Sequence, residues 1–245
     1  DYISMKSMLT FRIVLVEPIY SGNVGSVARV MKNFGFEELV LLNPCELDRP
    51  AHLMAVHAYD IIENARIEFS LKDALKGSNI IVGMTGLPGK TDNKHFRIPA
   101  YSPKQLKEKL AGNSGVVSLV FGREDAGLRN EELEICDLIV NIPTSPIYPS
   151  MNLSHAVAIV LYELSDVEGG LRYLAQHSDI ELLYEHIDEV LDDVEYKEHK
   201  EDKTKLMLRR ILGRCDLTGR EVQTMRGILR RIQWKLKTGE YGKSD

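Results

Sequence analysis

Two short apolar runs, each followed at once by a loop of unusual composition, restrict most strongly what this chain can fold into. Residues 116–121 are mostly β-branched or aliphatic and are bounded by glycines, so we predict a buried parallel strand. A glycine-containing turn at residues 122–128 follows directly. A second run, residues 138–142, is followed by three prolines that exclude regular structure, Pro143, Pro146 and Pro149. Two strands therefore end in two special loops, and open α/β sheets bind ligands at such loops.

Helical signals surround these loops. Asn130 is placed to cap a helix, with Glu131 and Glu132 in a first turn where the helix dipole favours negative charge. Another helix is predicted to start near Asn152. Its apolar stripe comprises Leu153, Ala156, Val157, Val160, Leu161 and Leu164.

The first half of the chain alternates strand and helix patterns. Further strands are predicted at residues 11–16, 38–42 and 79–84, and one helix spans residues 52–63. Residues 85–99 are predicted to form a loop that is long for a compact domain, and this length favours a segment that is either functional or mobile. The alternation predicts an α/β fold with a mostly parallel sheet covered on both faces.

Strand signals stop after Gly170. Two capping boxes, Ser178 with Glu181 and Thr218 with Glu221, introduce amphipathic helices. We therefore predict an α/β domain over residues 1–168, a linker at residues 169–176, and a small helical domain over residues 177–245.

Charge is distributed unevenly along the chain, although the net charge is only −5. Acidic side chains dominate residues 166–202, whereas Lys and Arg dominate from Lys203 onward. This asymmetry suggests an anionic partner for the basic helices. The alternative is an appendage that stabilises a dimer and whose charges are merely solvated. Trp234 is expected to be a core aromatic rather than a stacking platform.

The cysteines, Cys45, Cys136 and Cys215, are odd in number and lack CxxC spacing. They favour reduced thiols in a cytoplasmic protein and indicate neither a disulfide framework nor a metal site. The sequence contains no apolar run long enough to predict a membrane span.

Three segments carry a family resemblance: VEPIYSGNVGSVARVMKNFGFEELVLLNP, LVFGREDAGLRNEEL and IPTSPIYPSMNLSHAVAIVLYEL. They resemble the three motifs of the SPOUT superfamily of RNA methyltransferases, in their usual order, and most closely those of the TrmJ-type tRNA ribose 2′-O-methyltransferases. The resemblance implies a sheet whose C-terminal part is threaded into a trefoil knot, and S-adenosylmethionine bound in that knot. It also implies a homodimer that shares each active site, and methylation of tRNA at nucleotide 32 in the anticodon loop.

The resemblance further implies which residues act. The positions that match the cofactor loops are Thr85, Gly86, Gly122, Glu124, Gly127, Leu128, Ile142, Pro143, Ser150, Met151 and Leu153. The positions that match catalytic and substrate-orienting residues are Asn23, Arg29, Glu124, Ser150 and Asn152. The chemistry implied is methyl transfer to a ribose 2′-hydroxyl without a metal.

Several of these roles have alternatives, and Glu124 would either bind substrate or brace its own loop. A guanidinium hardly deprotonates in proteins, so Arg29 is expected to orient a phosphate or polarise the hydroxyl rather than to remove its proton. Ser150 and Asn152 would serve equally as ordinary helix caps. For the whole chain, the alternatives are methylation of ribosomal RNA and a knotted protein that binds RNA and cofactor without turnover.

Overall fold

The computed structural model describes residues 8–86, 100–196 and 201–238. The chain divides into two compact units, Asp1–Arg172 and Tyr173–Asp245. Within the described ranges, no helix is both long enough and apolar enough to cross a membrane.

The first unit is built on a parallel sheet. Its strands are β1 Leu9–Val16, β2 Glu38–Leu42, β3 Arg66–Glu68, β4 Ile80–Thr85, β5 Ala100–Tyr101, β6 Asn113–Phe121 and β7 Leu138–Asn141, and a two-residue strand, β8, follows at Arg172–Tyr173. The spatial order is β3-β2-β1-β6-β4-β7-β5, and the neighbours in this order pair in parallel. The strands in this order therefore present their carboxyl ends at one edge, and the predicted α/β fold class is confirmed.

Among the described residues of the first unit, seven α-helices accompany this sheet. They are α1 Ser21–Phe34, α2 Arg49–Ala55, α3 Tyr59–Glu63, α4 Leu71–Ala74, α5 Pro103–Leu110, α6 Asn130–Glu134 and α7 Leu153–Leu164. Helix α1 packs between α2 and α7. A Cβ on Gly25 would lie 2.2 Å from the carbonyl oxygen of Ala51, so glycine is what lets α1 and α2 approach so closely.

The central strands are buried on both faces, which explains their largely apolar sequences. Residues 13–16 of β1 are fully buried, and in β6 Leu119 and Phe121 are almost completely buried. Ser118 is the buried polar residue of β6 next to them, and its hydroxyl is hydrogen bonded to that of Ser78 at 2.7 Å. Such a pairing removes the cost of burying two hydroxyl groups.

Two local predictions within the first unit are wrong, and one of its strands was not predicted. The helix predicted over residues 52–63 is interrupted after α2 by a 3₁₀ turn, Val56–Ala58, because Val56 adopts a positive φ of 54°. Asn130 is the first residue of α6 rather than its cap, and the cap position is Arg129, whose backbone N–H donates to Glu132. Strand β3 was not predicted, because three residues are too few for an alternation pattern to emerge.

The second unit is helical, with α8 His177–Asp193, α9 Glu201–Gly213 and α10 Gly219–Thr238. Its core contains Leu183, Tyr184 and Val222. Arg209 of α9 binds Glu181 of α8 through two hydrogen bonds of 2.6 and 2.8 Å. That carboxylate is therefore unavailable to the predicted capping box, and α8 begins one residue before Ser178, without a side-chain cap.

The capping box of Thr218 and Glu221 is confirmed. Glu221 accepts a hydrogen bond from the backbone N–H of Thr218 at 2.7 Å, and the Thr218 hydroxyl accepts one from the N–H of Glu221 at 3.4 Å. The implied trefoil knot stays a prediction, as do the exact domain boundaries. Most of the predicted loop at residues 85–99 lies outside the described residues.

Candidate active site at the carboxyl edge of the sheet

A cavity of about 320 Å³ opens where β4, β6 and β7 end, and we call it the inner cavity. Its volume lies at the lower end of the range for sites that enclose small molecules. One wall is apolar and includes Phe121, Leu128 and Val140. The remaining lining residues are Met84, Thr85, Gly86, Gly122, Arg123, Glu124, Asp125, Ala126, Gly127, Ile142, Thr144, Pro149, Ser150, Met151, Leu153 and Ala156.

The floor of the inner cavity is the tight turn between Gly122 and Leu128. A Cβ on Gly122 would lie 2.1 Å from the carbonyl carbon of Gly127, which is far inside any real contact. Gly127 itself has φ of +67°, in the left-handed region that favours glycine. Both glycines are therefore required for this turn to close on itself, and its backbone stays close to the cavity.

A buried arginine, Arg123, stabilises the same turn by hydrogen bonds. The Arg123 guanidinium donates to Glu17 at 2.7 Å, to Glu132 at 2.8 and 3.0 Å, and to the Gly127 carbonyl at 3.2 Å. The backbone carbonyl of Arg123 also accepts from the Gly127 N–H at 2.9 Å. Arg123 thus ties the end of β1, the turn and the start of α6 into one rigid unit.

This ion-pair cluster shifts the pKa values of its members. The hydrogen bond from Arg123 is the main reason that the pKa of Glu17 is lowered. Burial acts to raise the pKa of Glu132, but its hydrogen bonds with Arg123 and the Arg129 backbone outweigh burial, and the net pKa is lowered. The pKa of Arg123 is raised by the hydrogen bonds to Glu132 and Glu17. All three groups are therefore charged at neutral pH.

Two side-chain hydrogen bonds shape the opposite wall. Asn141, the last residue of β7, donates to the Thr85 carbonyl at 2.8 Å and joins the ends of β7 and β4. Within the proline-rich segment, the Thr144 hydroxyl donates to the Pro149 carbonyl at 3.3 Å. These bonds fold the segment back over the cavity, so that Met151 and Gly122 line the same space.

A second cavity of about 600 Å³ adjoins the first, and we call it the outer cavity. Four residues line both: Glu124, Thr144, Ser150 and Met151. The outer cavity is additionally lined by Tyr20, Asn23, Tyr148, Asn152 and His155. Its character is more polar and aromatic, which suits a ligand that offers hydroxyl groups and rings.

A hydrogen-bonded chain connects three of the predicted catalytic residues. The Asn23 amide donates to Glu124 at 2.9 Å, and the Asn152 amide donates to the Asn23 carbonyl oxygen at 3.1 Å. Asn152 also caps α7, because its side-chain oxygen accepts from the Ser154 N–H at 2.9 Å. Asn23 therefore has both ends of its amide engaged within the protein.

Glu124 lies at the centre of this chain. Besides Asn23, it accepts hydrogen bonds from the backbone N–H groups of Ile19 and Tyr20, at 2.9 and 3.3 Å. These donors precede α1, where a helix dipole favours negative charge. With three donors fixed on it, the Glu124 carboxylate anchors the start of α1 to the turn after β6.

Arg29 is the predicted catalytic residue that the structure does not bring to either cavity. It is exposed on α1, six residues after Asn23. Six residues rotate the side chain by about 240° around a helix axis, so Arg29 points about 120° away from the Asn23 side. Within this chain it therefore lies on a different surface from the outer cavity.

The other predicted residues are grouped closely. Of the eleven that match the cofactor loops, all except Pro143 line the inner cavity. Asn23, Glu124, Ser150 and Asn152 line the outer cavity. Sequence reasoning missed Arg123, Glu17 and Glu132, and it missed Tyr20 and Tyr148. The only signal for Arg123 was its place between Gly122 and Glu124. For His155 the sequence predicts a packed or exposed helix histidine rather than a ligand, and the residue is exposed on α7 and lines the outer cavity.

Among the residues that the structure describes, no cluster of three or more His, Cys, Asp or Glu residues is arranged to hold a metal ion. Two thiols near the site have raised pKa values. Burial is the main cause for both Cys136 and Cys45, and neighbouring carboxylates add to it. Neither thiol is therefore activated as a nucleophile.

Comparison with known proteins matches both units to family models. Residues 10–162 match the SpoU rRNA methylase family, and residues 178–241 match the C-terminal domain of the tRNA methyltransferase TrmJ. The chain is 41% identical over 226 residues to the tRNA (cytidine-2′-O-)-methyltransferase TrmJ of Methanocaldococcus jannaschii, an alignment that covers 89% of this chain and 97% of that protein.

A bacterial relative and a solved structure extend the similarity. The tRNA (cytidine/uridine-2′-O-)-methyltransferase TrmJ of Pectobacterium atrosepticum is 35% identical over 236 residues, covering 91% of this chain and 96% of that one. The crystal structure of TrmJ from Zymomonas mobilis ZM4 superposes with a TM-score of 0.73 at 26% identity, covering 91% of this chain and 98% of that chain. These similarities span both units.

Proposed function

We propose, from the premise that the chain belongs to the SpoU methylase family, that it is an S-adenosylmethionine-dependent tRNA ribose 2′-O-methyltransferase of the TrmJ type. The family description alone names rRNA. What favours tRNA is the match of residues 178–241 to a domain named for TrmJ, together with relatives that are named as tRNA enzymes.

One observation carries the proposal. The inner and outer cavities share a boundary made by Glu124, Thr144, Ser150 and Met151. A methyl donor in the inner cavity and a ribose in the outer cavity would meet at this boundary. Such an arrangement converts a reaction between two molecules into one between two positioned groups, which supplies much of the rate acceleration.

The inner cavity fits S-adenosylmethionine by its chemistry. Its apolar wall, with Phe121, Leu128 and Ile142, accommodates an adenine ring, and the turn at residues 122–128 offers close backbone groups for polar edges. When bound there, S-adenosylmethionine supplies a methyl group already activated on a sulfonium. In the transfer, the ribose 2′-oxygen gains the carbon bond that the sulfur loses, and the hydroxyl proton is released.

The residues of this chain would then act mainly by positioning. Glu124 holds Asn23, and Asn23 holds Asn152, so the start of α1 and the start of α7 keep a fixed relation to the turn. Ser150 is exposed at the shared boundary and is placed to hydrogen bond the incoming ribose. We assign Asn23, Glu124 and Asn152 a positioning role rather than direct proton transfer.

A second copy of the chain would complete the site. Arg29 is remote from the outer cavity of its own protomer, yet a guanidinium is well suited to hold the phosphate beside the target ribose. Next to α1, the packed helix α7 exposes Ile159 (37%) and Tyr162 (65%), and Tyr162 contacts Phe34 edge to face. These exposed apolar side chains support a homodimer in which each protomer lends Arg29 to its partner.

The experiment that tests the proposal is a transfer assay with the full chain. The protein is incubated with methyl-labelled S-adenosylmethionine and either total tRNA or ribosomal RNA, and the labelled nucleotide is mapped. We expect 2′-O-methylation of tRNA at nucleotide 32 of the anticodon loop. Label confined to ribosomal RNA would contradict the tRNA assignment, and cofactor binding without transfer to either RNA would contradict an enzymatic role.

A further inference from the structure

Helix α10 carries a surface that the proposed chemistry does not use. Four residues follow the spacing i, i+3, i+4 and i+7, namely Gly227, Arg230, Arg231 and Trp234, and we call this surface the 227–234 face. Residues at that spacing lie on one side of a helix. The buried side of α10 is different, because Val222, Met225 and Leu229 pack into the core of the unit.

Trp234 lies on this face and not in the core, so the expectation of a core aromatic is wrong. The residue is 42% exposed. The guanidinium carbon of Arg231 lies 4.2 Å from the centre of the indole ring. An arginine stacked on an exposed indole makes a flat, cationic surface, and a nucleic-acid base binds such surfaces by stacking and through its neighbouring phosphate.

Gly227 is a second and independent observation. It lies in the middle of a 20-residue helix, where glycine is destabilising relative to alanine. A Cβ at this position would meet nothing within 4 Å, so packing among the described residues does not require glycine here. Its place beside Arg230 and Arg231 leaves bare helix backbone between cationic side chains, which suits the close approach of a phosphate.

The charge of α10 agrees with an anionic ligand. Its sequence contains a single acidic residue, Glu221, which is engaged with Thr218 at the start of the helix. Five residues of the helix after Glu221 are Lys or Arg, namely Arg226, Arg230, Arg231, Lys235 and Lys237, and Arg220 lies just before Glu221. Phosphate contacts from such side chains supply most of the affinity for nucleic acids.

We propose that the 227–234 face binds a nucleotide of the tRNA substrate, with a base stacked on Trp234 and the adjoining phosphate over Gly227. The inference rests on the proposed function, since it takes tRNA as the substrate. It extends that function by naming residues that bind RNA outside the methyl-transfer site. Trp234 and Gly227 serve here as substrate-binding residues, remote from the reacting atoms.

Trp234 is the only tryptophan of the chain, so its fluorescence reports on this face alone. Titration of the full-length protein with tRNA should quench that fluorescence to a saturating value. The variant Trp234→Ala should weaken tRNA binding about 10-fold, measured by anisotropy of labelled tRNA, because one stacked base contributes about that much affinity. Trp234→Phe, which keeps a ring, should stay within about threefold of the wild type.

Three controls sharpen the test. Ile228→Ala removes an exposed side chain from another side of α10 and should leave binding unchanged. Heparin is a polyanion without bases, so Trp234→Ala should not weaken heparin binding. Gly227→Ala should raise the melting temperature, because alanine favours helix, and should nevertheless weaken tRNA binding.

Each outcome decides the matter. The inference would be overturned if Trp234 fluorescence did not change at saturating tRNA, or if Trp234→Ala lost heparin binding as much as tRNA binding. In either case, tRNA methylation by the wild type would still support the proposed function. Stronger tRNA binding by Gly227→Ala would also count against it. A wild-type chain that neither binds nor methylates tRNA would overturn both proposals together.

Discussion

The side-chain amide of Asn23 donates a hydrogen bond of 2.9 Å to the carboxylate of Glu124, although the two residues are 101 positions apart in sequence. This bond joins the first turn of α1 to the turn that follows β6. Because the Asn152 amide in turn donates to the Asn23 carbonyl oxygen, the start of α1, the turn after β6 and the start of α7 are joined by one chain of hydrogen bonds. Glu124 is therefore the residue on which the geometry of the outer cavity depends.

Replacing this acceptor should damage activity more than stability. Glu124→Gln replaces one carboxylate oxygen by an NH₂ group. One oxygen now accepts from the Ile19 N–H and the other from the Asn23 amide, so in either orientation of the new amide its NH₂ group faces a donor. We expect a loss of about 1–3 kcal/mol in the free energy of unfolding, as for an unsatisfied partly buried group. A displacement of about 1 Å at the cavity boundary should lower the methylation rate about 100-fold.

The measurement combines urea unfolding with single-turnover methylation of tRNA. Glu108→Gln is the matched control, because Glu108 is exposed on α5 beyond its first turn and its replacement should change neither quantity. Near wild-type methylation by Glu124→Gln would show that the hydrogen-bonded chain does not position the site.

Sequence reasoning located this site because its loops follow strands with continuous apolar sequences. Strands buried on both faces are largely apolar, so β6 and β7 were recognisable, and the loops after them were found with their glycines and prolines. What the resemblance implied about cofactor positions then placed ten residues around one cavity.

The parts that sequence reasoning missed depend on long-range pairing. Arg123 is buried by partners that include Glu17, 106 residues earlier, and no local pattern indicates that a charged residue in a glycine-rich turn is structural. The break at Val56 is similar, since a positive φ in a β-branched residue is disfavoured locally and must be imposed by the surrounding structure. Such features depend on contacts between residues that are distant in sequence, and the periodicity of a local sequence carries no information about those contacts.

The glycine at the floor of the inner cavity provides a second prediction. Gly122→Ala would place a methyl group 2.1 Å from the Gly127 carbonyl carbon, and backbone atoms cannot yield as a flexible side chain would. The turn should open, and S-adenosylmethionine should bind at least about 10-fold more weakly, which corresponds to about 1.4 kcal/mol. Isothermal titration calorimetry measures this directly.

Gly22→Ala is the control for this substitution. A Cβ on Gly22 would meet Met54 and Pro50 at 3.7 and 3.8 Å, which are ordinary contact distances. Cofactor affinity should therefore remain within about twofold of the wild type, as expected for a substitution without strain. Equal affinities for the wild type and Gly122→Ala would mean that the turn does not form the cofactor site.

The ion-pair cluster around Arg123 predicts how stability depends on pH. The pKa values of Glu17 and Glu132 are both lowered from the value of 4.5. A carboxyl group whose pKa is lower in the folded state stabilises the fold above its unfolded pKa, and this stabilisation is lost as pH falls through the folded value. The free energy of unfolding should therefore be level near neutral pH and decrease below about pH 4.5.

A variant separates this cluster from general acid denaturation. Glu132→Gln should be less stable than the wild type at pH 7, and the difference should shrink as pH falls below 4.5, because the wild-type carboxylate is then protonated as well. Glu134→Gln, an exposed change on the same helix, should follow the wild-type curve. A difference between wild type and Glu132→Gln that stays constant down to pH 3 would contradict the assignment, and urea unfolding at each pH is the measurement.

The exposed position of Arg29 predicts that the active site is shared between protomers. Arg29→Ala should bind S-adenosylmethionine like the wild type but lose methyl transfer, and Gly122→Ala should lose cofactor binding while retaining Arg29. If Arg29 acts on the partner's cavity, mixing and reassembling the two inactive variants restores one intact site in each mixed dimer, and about a quarter of the wild-type activity should return. If Arg29 acts within its own protomer, no mixed dimer contains an intact site and the mixture stays inactive. Circular dichroism of each variant ensures that both components are folded before they are mixed.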